Sequence, residues 1–461
     1  MALDHVRDFT NISAMSFLPT DLTRTTLALF FTRWITHFCA PVFAFTTGIG
    51  AFFWYRHGRT LPQLSRFLLT RGLWLIFLEV TVLRFVLFFQ WNWKGGLIIL
   101  TVFWMLGLSM VALAALVHLP TKILAPLSLL VIAAHNLLDP IVPERFGRFA
   151  WLWKILHQQG VFPFHGALFA VAYPLVPWVA VMAAGFCLGT VLMWEPERRR
   201  RFLLRAGLAL SLAFVVLRAW NHYGDPDKWS HQPTALFTVL SFLNTTKYPP
   251  SLIFLLMTPG PALLALAFLD RGTFSFSNPL IVFGRVPFFF FLFHLLFAHV
   301  LAIILSAFRY GPHRFLLLPP PSLGGSRDIF PADYGFSLLV VYVTWVGVVA
   351  ISYPICRRYA DLKNRRRDLW WLSYVQLSSR SVFLAQIREW PLGKFHCCFY
   401  VLWVGIKKRK MRKCCGGSPC LSRSSCLLII GNHQIAWLRY GQCLNGNWST
   451  NPLAQEKVLH S

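Results

Sequence analysis

Apolar stretches close to the ~20 residues that a helix needs to cross a bilayer recur along most of this chain, and no other feature restricts its folding as strongly. They run over Trp34–Tyr55, Phe67–Phe89, Leu97–Val117, Ile123–Leu138, Leu168–Trp194, Phe202–Trp220, Ser251–Leu269, Leu280–Leu305 and Phe336–Ile355. Nine such segments predict an all-α, multi-pass transmembrane helical bundle. With 56% hydrophobic and only 13% charged residues, the chain has too little charge to cover its apolar surface with a solvated shell. That argues against a soluble enzyme.

The charge that is present orients the spans. Lys and Arg number 44 against 17 Asp and Glu, a net +27. In a membrane protein this excess collects in short cytoplasmic loops and needs no nucleic-acid partner. One alternating set of loops (56–71, 118–123, 195–205, 269–286, 357–368) carries 18 Lys and Arg in 63 residues, and the other (4–33, 90–96, 139–166, 218–250, 306–335) carries 13 in 128. The dense set is expected to be cytoplasmic, with the C-terminal side of the last span there as well, in a cell (inner) membrane.

Residues 1–375 form the expected membrane domain, with Cys39, Cys187 and Cys356 in or beside apolar runs. Residues 376–461 hold the other seven of the ten Cys, lose the long apolar periods, and predict an unrelated, disordered Cys- and Lys-rich tail. That tail has no C-x-x-C pair, so no metal site is expected.

Ionisable residues within spans are costly and therefore functional candidates. At ~1.5 Å per residue, Glu79 lies near mid-membrane, with Arg84 one turn further out. His135 and Asp139 share a face in the outer half, Arg218 ends its helix on the outer side, Arg33 and His37 form an i,i+4 pair at the outer entrance of theirs, and Asp4 and His5 open the first outer loop. Acids, imidazoles and guanidiniums at one depth predict an outward-facing polar cavity where substrate hydroxyls or amines are held and deprotonated. His294, within a run of Phe, is placed to line the middle of the pathway, while His299 is rotated off its face. Each has a structural reading too: Glu79 with Arg84 as an ion pair, His135 as a helix-to-helix hydrogen bond, Arg33 and His37 as interfacial anchors, and His294 as a satisfied core histidine.

Specific strings sharpen this picture. SFLNTTKYPPSLIFLLM (241–257), MALDHVRDF (1–9), TRWITHFCAPVFAFTTG (32–48), FGRVPFFFFLFH (283–294), HNLLD (135–139) and YGDP (223–226) resemble bacterial members of the heparan-alpha-glucosaminide N-acetyltransferase catalytic-domain family. The resemblance covers about residues 1–375. It implies a membrane-bound O- or N-acetyltransferase that uses cytoplasmic acetyl-CoA to modify a sugar or glycan on the far side, without metal. It also implies that His5 is the acceptor-activating base with Asp4 beside it. Because relatives begin with a helix ending in a similar string, the start reads as the remnant of a first helix, and activity is expected to depend on that helix. Arg56, Arg59, Arg66 and Arg71 with Arg198 to Arg201, including Arg199, supply a cationic mouth for the CoA phosphates, although topology alone asks for the same arginines. A multi-pass transporter or flippase is the competing class, since proline-broken helices and mid-membrane charges suit both.

Overall fold

A computed structural model describes residues 1–89, 96–270, 277–318 and 320–366; the predicted tail, 376–461, and its boundary lie outside the described residues. The described chain is mostly helical: α1 (Ala2–Thr10), α2 (Leu27–Arg56), α3 (Leu61–Leu78), α4 (Arg84–Phe88), α5 (Val102–Leu116), α6 (Thr121–Leu138), α7 (Ala150–Leu156), α8 (Val176–Leu192), α9 (Pro196–Trp220), α10 (Ala235–Leu243), α11 (Leu252–Leu269), α12 (Pro279–Arg285), α13 (Pro287–Tyr310) and α14 (Leu338–Arg365). Among the described residues, six helices are long and apolar enough to cross a membrane: α2, α6, α9, α11, α13 and α14. The expectation of nine full spans is not met.

The reasons are local. In two predicted spans the leading residues are strands, β1 (Leu97–Leu100) and, after β2 (Gly160–Phe164), β3 (Ala167–Val171). That leaves α5 with 15 and α8 with 17 helical residues. In the third, α3 begins at a capping box in which the Thr60 and Gln63 side chains each accept the other's backbone N–H, and Gln63, Arg66 and Arg71 make its first three turns polar. A π-helical turn, Glu79–Leu83, then joins it to α4.

Strand order is β1-β3-β2, with β1 parallel and β2 antiparallel to β3. Ile98, Leu100, Ala167 and Val171 form a small core of their own under this sheet. β1 delivers the chain to the first turn of α5, and there the Glu79 carboxylate accepts hydrogen bonds from the backbone N–H groups of Thr101 (2.6 Å), Phe103 (3.1 Å) and Trp104 (3.1 Å). These are donors that a helix start leaves unsatisfied.

Helices cross closely where small residues meet, as is usual in membranes. A Cβ on Gly185 of α8 would stand 2.1 Å from the Phe45 carbonyl of α2, and one on Gly48 would stand 1.9 Å from the Met182 carbonyl of α8. Gly72 of α3 and Gly107 of α5 make a second such crossing. The short α1 packs against α13 and α14, and this brings His5 and Phe9 to α13.

Candidate active site

Two histidines distant in sequence meet at this contact. His294 on α13 is fully buried; its Nδ1 donates to the Phe290 carbonyl (2.7 Å), and its Nε2 has no partner. The His5 ring of α1 lies 5.5 Å from it, centroid to centroid, with the edge of Phe291 at 6.0 Å, and His5 Nδ1 also has no partner. His299 turns elsewhere, as its rotation predicts: it bonds the Val86 carbonyl and stacks between Phe9 and Phe89.

Ions surround the pair. Asp4 is buried and forms ion pairs with Arg7 at 2.6 Å and Arg33 at 2.5 Å, while Arg7 also holds Asp8 at 2.6 Å. The Asp4 carboxylate pairs with these guanidiniums, while its Oδ1, next to His5 in sequence, is buried without a hydrogen-bond partner. Arg33 lies 5.8 Å from the ring of Tyr248, whose hydroxyl meets that of Tyr173 at 3.1 Å. His37 is 2% exposed, packs its ring against Phe254, and leaves Nδ1 without a partner. Asp4, His5, Arg33 and His294 thus gather at one place, Asp4 and His294 buried and His5 and Arg33 half-buried, with His37 one turn along α2 from Arg33.

Sequence reasoning missed two members of this group, Lys247 and Tyr248. Lys247 is 8% exposed, with its ammonium 5.1 Å from the Tyr248 ring. It acts electrostatically on Asp4, His5 and His37. The available signal was the Lys-Tyr-Pro-Pro string between two apolar helices; as a loop, it escaped a search confined to spans.

Other candidates hold that loop in place. His135 has its two ring nitrogens 2.9 Å from the carbonyls of Ile132 and Pro250. Asn136 accepts the Leu252 N–H at 2.8 Å, and its amide bonds Asp139. Asp139 in turn accepts from His157 at 2.9 Å. Arg218 donates to the carbonyls of Phe242, Asp227, Ser241 and Asn244 and pairs with Asp225 at 3.4 Å. Asp225 itself accepts from Thr246 N–H and hydroxyl and from the Ser251 hydroxyl. Burial pushes the Asp225 carboxyl above its ordinary value, and the Thr246 and Arg218 contacts pull against that.

Three of the candidates have structural partners. Arg218 is 2% exposed and engages loop carbonyls, so it braces the loop. Glu79, 1% exposed, has its carboxylate engaged by the start of α5. Arg199 gives Nε and Nη2 to the Asp270 carboxylate at 3.0–3.1 Å and Nη1 to the Leu192 and Trp194 carbonyls; it ties α9 to the end of α11. Arg71 is buried and lies 5.3 Å from the Phe67 ring, and Arg84 is buried at the start of α4. Arg56, Arg59 and Arg198 remain exposed, the last two beside Trp54 and Trp194. Among the described residues no group of three His, Cys, Asp or Glu is arranged to hold a metal ion.

No curated protein and no solved structure matches the chain. Residues 9–219 match the family model described as heparan-alpha-glucosaminide N-acetyltransferase, catalytic. This segment contains the strings at 32–48 and 135–139, while those at 223–226, 241–257 and 283–294 follow it. With its apolar helices the chain is a multi-pass membrane protein, and its segment 9–219 matches the heparan-alpha-glucosaminide N-acetyltransferase catalytic-domain family.

Proposed function

We propose that this membrane acyltransferase-family protein moves an acetyl group from acetyl-CoA, presented on the cytoplasmic side of a cell (inner) membrane, to a hydroxyl or amine of a sugar or glycan on the outer side. The observation that carries the reading is the His5–His294 pair, in which each imidazole keeps a buried nitrogen without a partner. A neutral imidazole in a dry site, held beside a fixed Asp4–Arg33 ion pair, suits general-base work. His5 takes the proton of the acceptor O–H or N–H as that atom attacks the thioester carbonyl carbon. The C–S bond then breaks, CoA leaves as the thiolate, and the proton held by His5 returns to it. His294 lines the route by which the acyl carbon reaches His5. The exposed guanidiniums of Arg56, Arg59 and Arg198 are those that would hold the CoA phosphates.

The full chain, reconstituted in vesicles, is given acetyl-CoA labelled in its acetyl group and a panel of amino sugars and glycans. Label should pass to an acceptor, and His5→Ala should reduce transfer by ~10²–10⁴ while donor binding survives. Full transfer by His5→Ala would move the base elsewhere. Solute movement across the vesicle with no consumption of acetyl-CoA would establish the transporter instead.

A further inference from the structure

Around His5, Asp4 and Asp8 are paired with Arg7 and Arg33, and the Met1 ammonium donates to the Cys39 thiol at 3.4 Å; Lys247 is the side-chain cation left over. It is more than nine-tenths buried, yet its ammonium donates no hydrogen bond to any described residue and lies 5.1 Å from the ring of the adjacent Tyr248. The unpaired state is not slack in the loop. On one side of Lys247, Thr246 is tied to Asp225 through both its N–H and its hydroxyl. On the other, Tyr248 is tied to Tyr173, Pro250 to His135, Ser251 to Asp225 and Leu252 to Asn136. A loop fixed at this many buried points holds its one cation away from every partner, in a setting where an unpaired charge is costly. Such a charge is relieved when an anionic oxygen arrives. Lys247 shares the Tyr248 ring with Arg33, the ion-pair partner of Asp4 beside His5, and so stands where the proposed transfer would generate one.

We infer that Lys247 is the electrophilic group of the transfer centre: its ammonium holds the carbonyl oxygen of the acyl thioester and the oxyanion formed when the acceptor attacks. The inference rests on the acyl-transfer reading and adds its second half. As His5 accepts the proton from the acceptor, the carbonyl π electrons move onto the oxygen facing Lys247; they return when the C–S bond breaks and thiolate departs. Lys247 keeps its own protons throughout. Preorganised donors of this kind act on the transition state, so removing one lowers kcat and leaves binding largely in place.

The test compares Lys247→Met, which keeps the length of the side chain, with Lys247→Arg, which keeps its charge, in the reconstituted full chain. Lys247→Met should reduce kcat by ~10²–10³, with the KM of the acceptor and the Kd of acetyl-CoA within about threefold of wild type and thermal stability not reduced. Lys247→Arg should recover part of kcat. In infrared spectra, the carbonyl stretch of bound [1-13C]acetyl-CoA should lie at lower frequency in wild type than in Lys247→Met, a shift that a merely structural lysine would not produce. Wild-type kcat in Lys247→Met, or an unshifted carbonyl, overturns the inference while leaving acyl transfer intact. A loss confined to the KM of negatively charged acceptors overturns it in favour of an acceptor-binding role. No transfer by the wild type with any acceptor removes the acyl-transfer reading, and this one with it.

Discussion

Replacing Glu79 separates two accounts of a mid-membrane carboxylate. If its task is to receive the first N–H groups of α5, the cost should appear in stability and not in chemistry. Glu79→Gln keeps one carbonyl oxygen, which can satisfy two of the three donors from Thr101, Phe103 and Trp104. The third donor is left buried, and the amide NH2 group now faces it. Losing one hydrogen bond to a charged acceptor costs about 1.5–3 kcal/mol. Losing negative charge at a helix N-terminus adds about 0.3–1 kcal/mol. The expected loss is therefore about 2–4 kcal/mol, and a melting point about 4–16 °C lower by the scaling for larger domains. Glu79→Ala strands all three donors and should fall further. The assay is thermal unfolding in detergent, paired with acetyl transfer normalised to folded protein; the normalised rate should stay within about twofold. An unchanged melting point with transfer abolished would refute the capping argument and return Glu79 to the catalytic group.

Asp225→Ala removes the acceptor of Thr246 and Ser251 and the ion-pair partner of Arg218, whose carbonyl bonds remain, and the stranded Thr246 and Ser251 donors should cost about 1–3 kcal/mol each; a melting-point shift below about 2 °C would show that the loop has other support. Arg198 and Arg199 should behave oppositely despite being neighbours. Arg199→Ala should lower thermal stability by freeing Asp270, whereas a triple Arg56→Ala, Arg59→Ala, Arg198→Ala variant should raise the KM for acetyl-CoA at least tenfold with stability kept, as titration with the donor will show. A cysteine introduced at Glu197 should resist a membrane-impermeant thiol reagent applied to intact cells, because the loop 195–205 is assigned to the cytoplasm; rapid labelling would reverse the topology.

Much of this architecture was legible because a bilayer demands a length and a polarity that a sequence displays directly. The apolar runs found α2, α6, α9, α11, α13 and α14. The same signal concealed the sheet: Leu97–Leu100 and Ala167–Val171 are apolar at every position, so neither a period of 2 nor one of 3.6 separates them from the helices they precede. Depth arithmetic was similarly one-dimensional. It gave each ionisable residue a height but neither an azimuth nor a partner, and the partners of Glu79, Arg199 and Arg218 are chiefly backbone groups, which every sequence offers everywhere.

What separates structural from chemical candidates at this depth is therefore the state of each polar atom. In a medium without water a polar side chain is either satisfied by the protein or waiting for something that is not part of it. His135 has a carbonyl at each nitrogen, and its replacement should loosen the loop. His5, His37 and His294 each keep a buried nitrogen without a partner, and Lys247 an ammonium bonded to no described residue. Three of these four come from separate helices and the fourth from a loop braced by α6 and α9. A fold in which several elements converge to leave such atoms unsatisfied together has its polar centre shaped for a visitor, and that visitor must bring a proton to give and an oxygen able to bear charge.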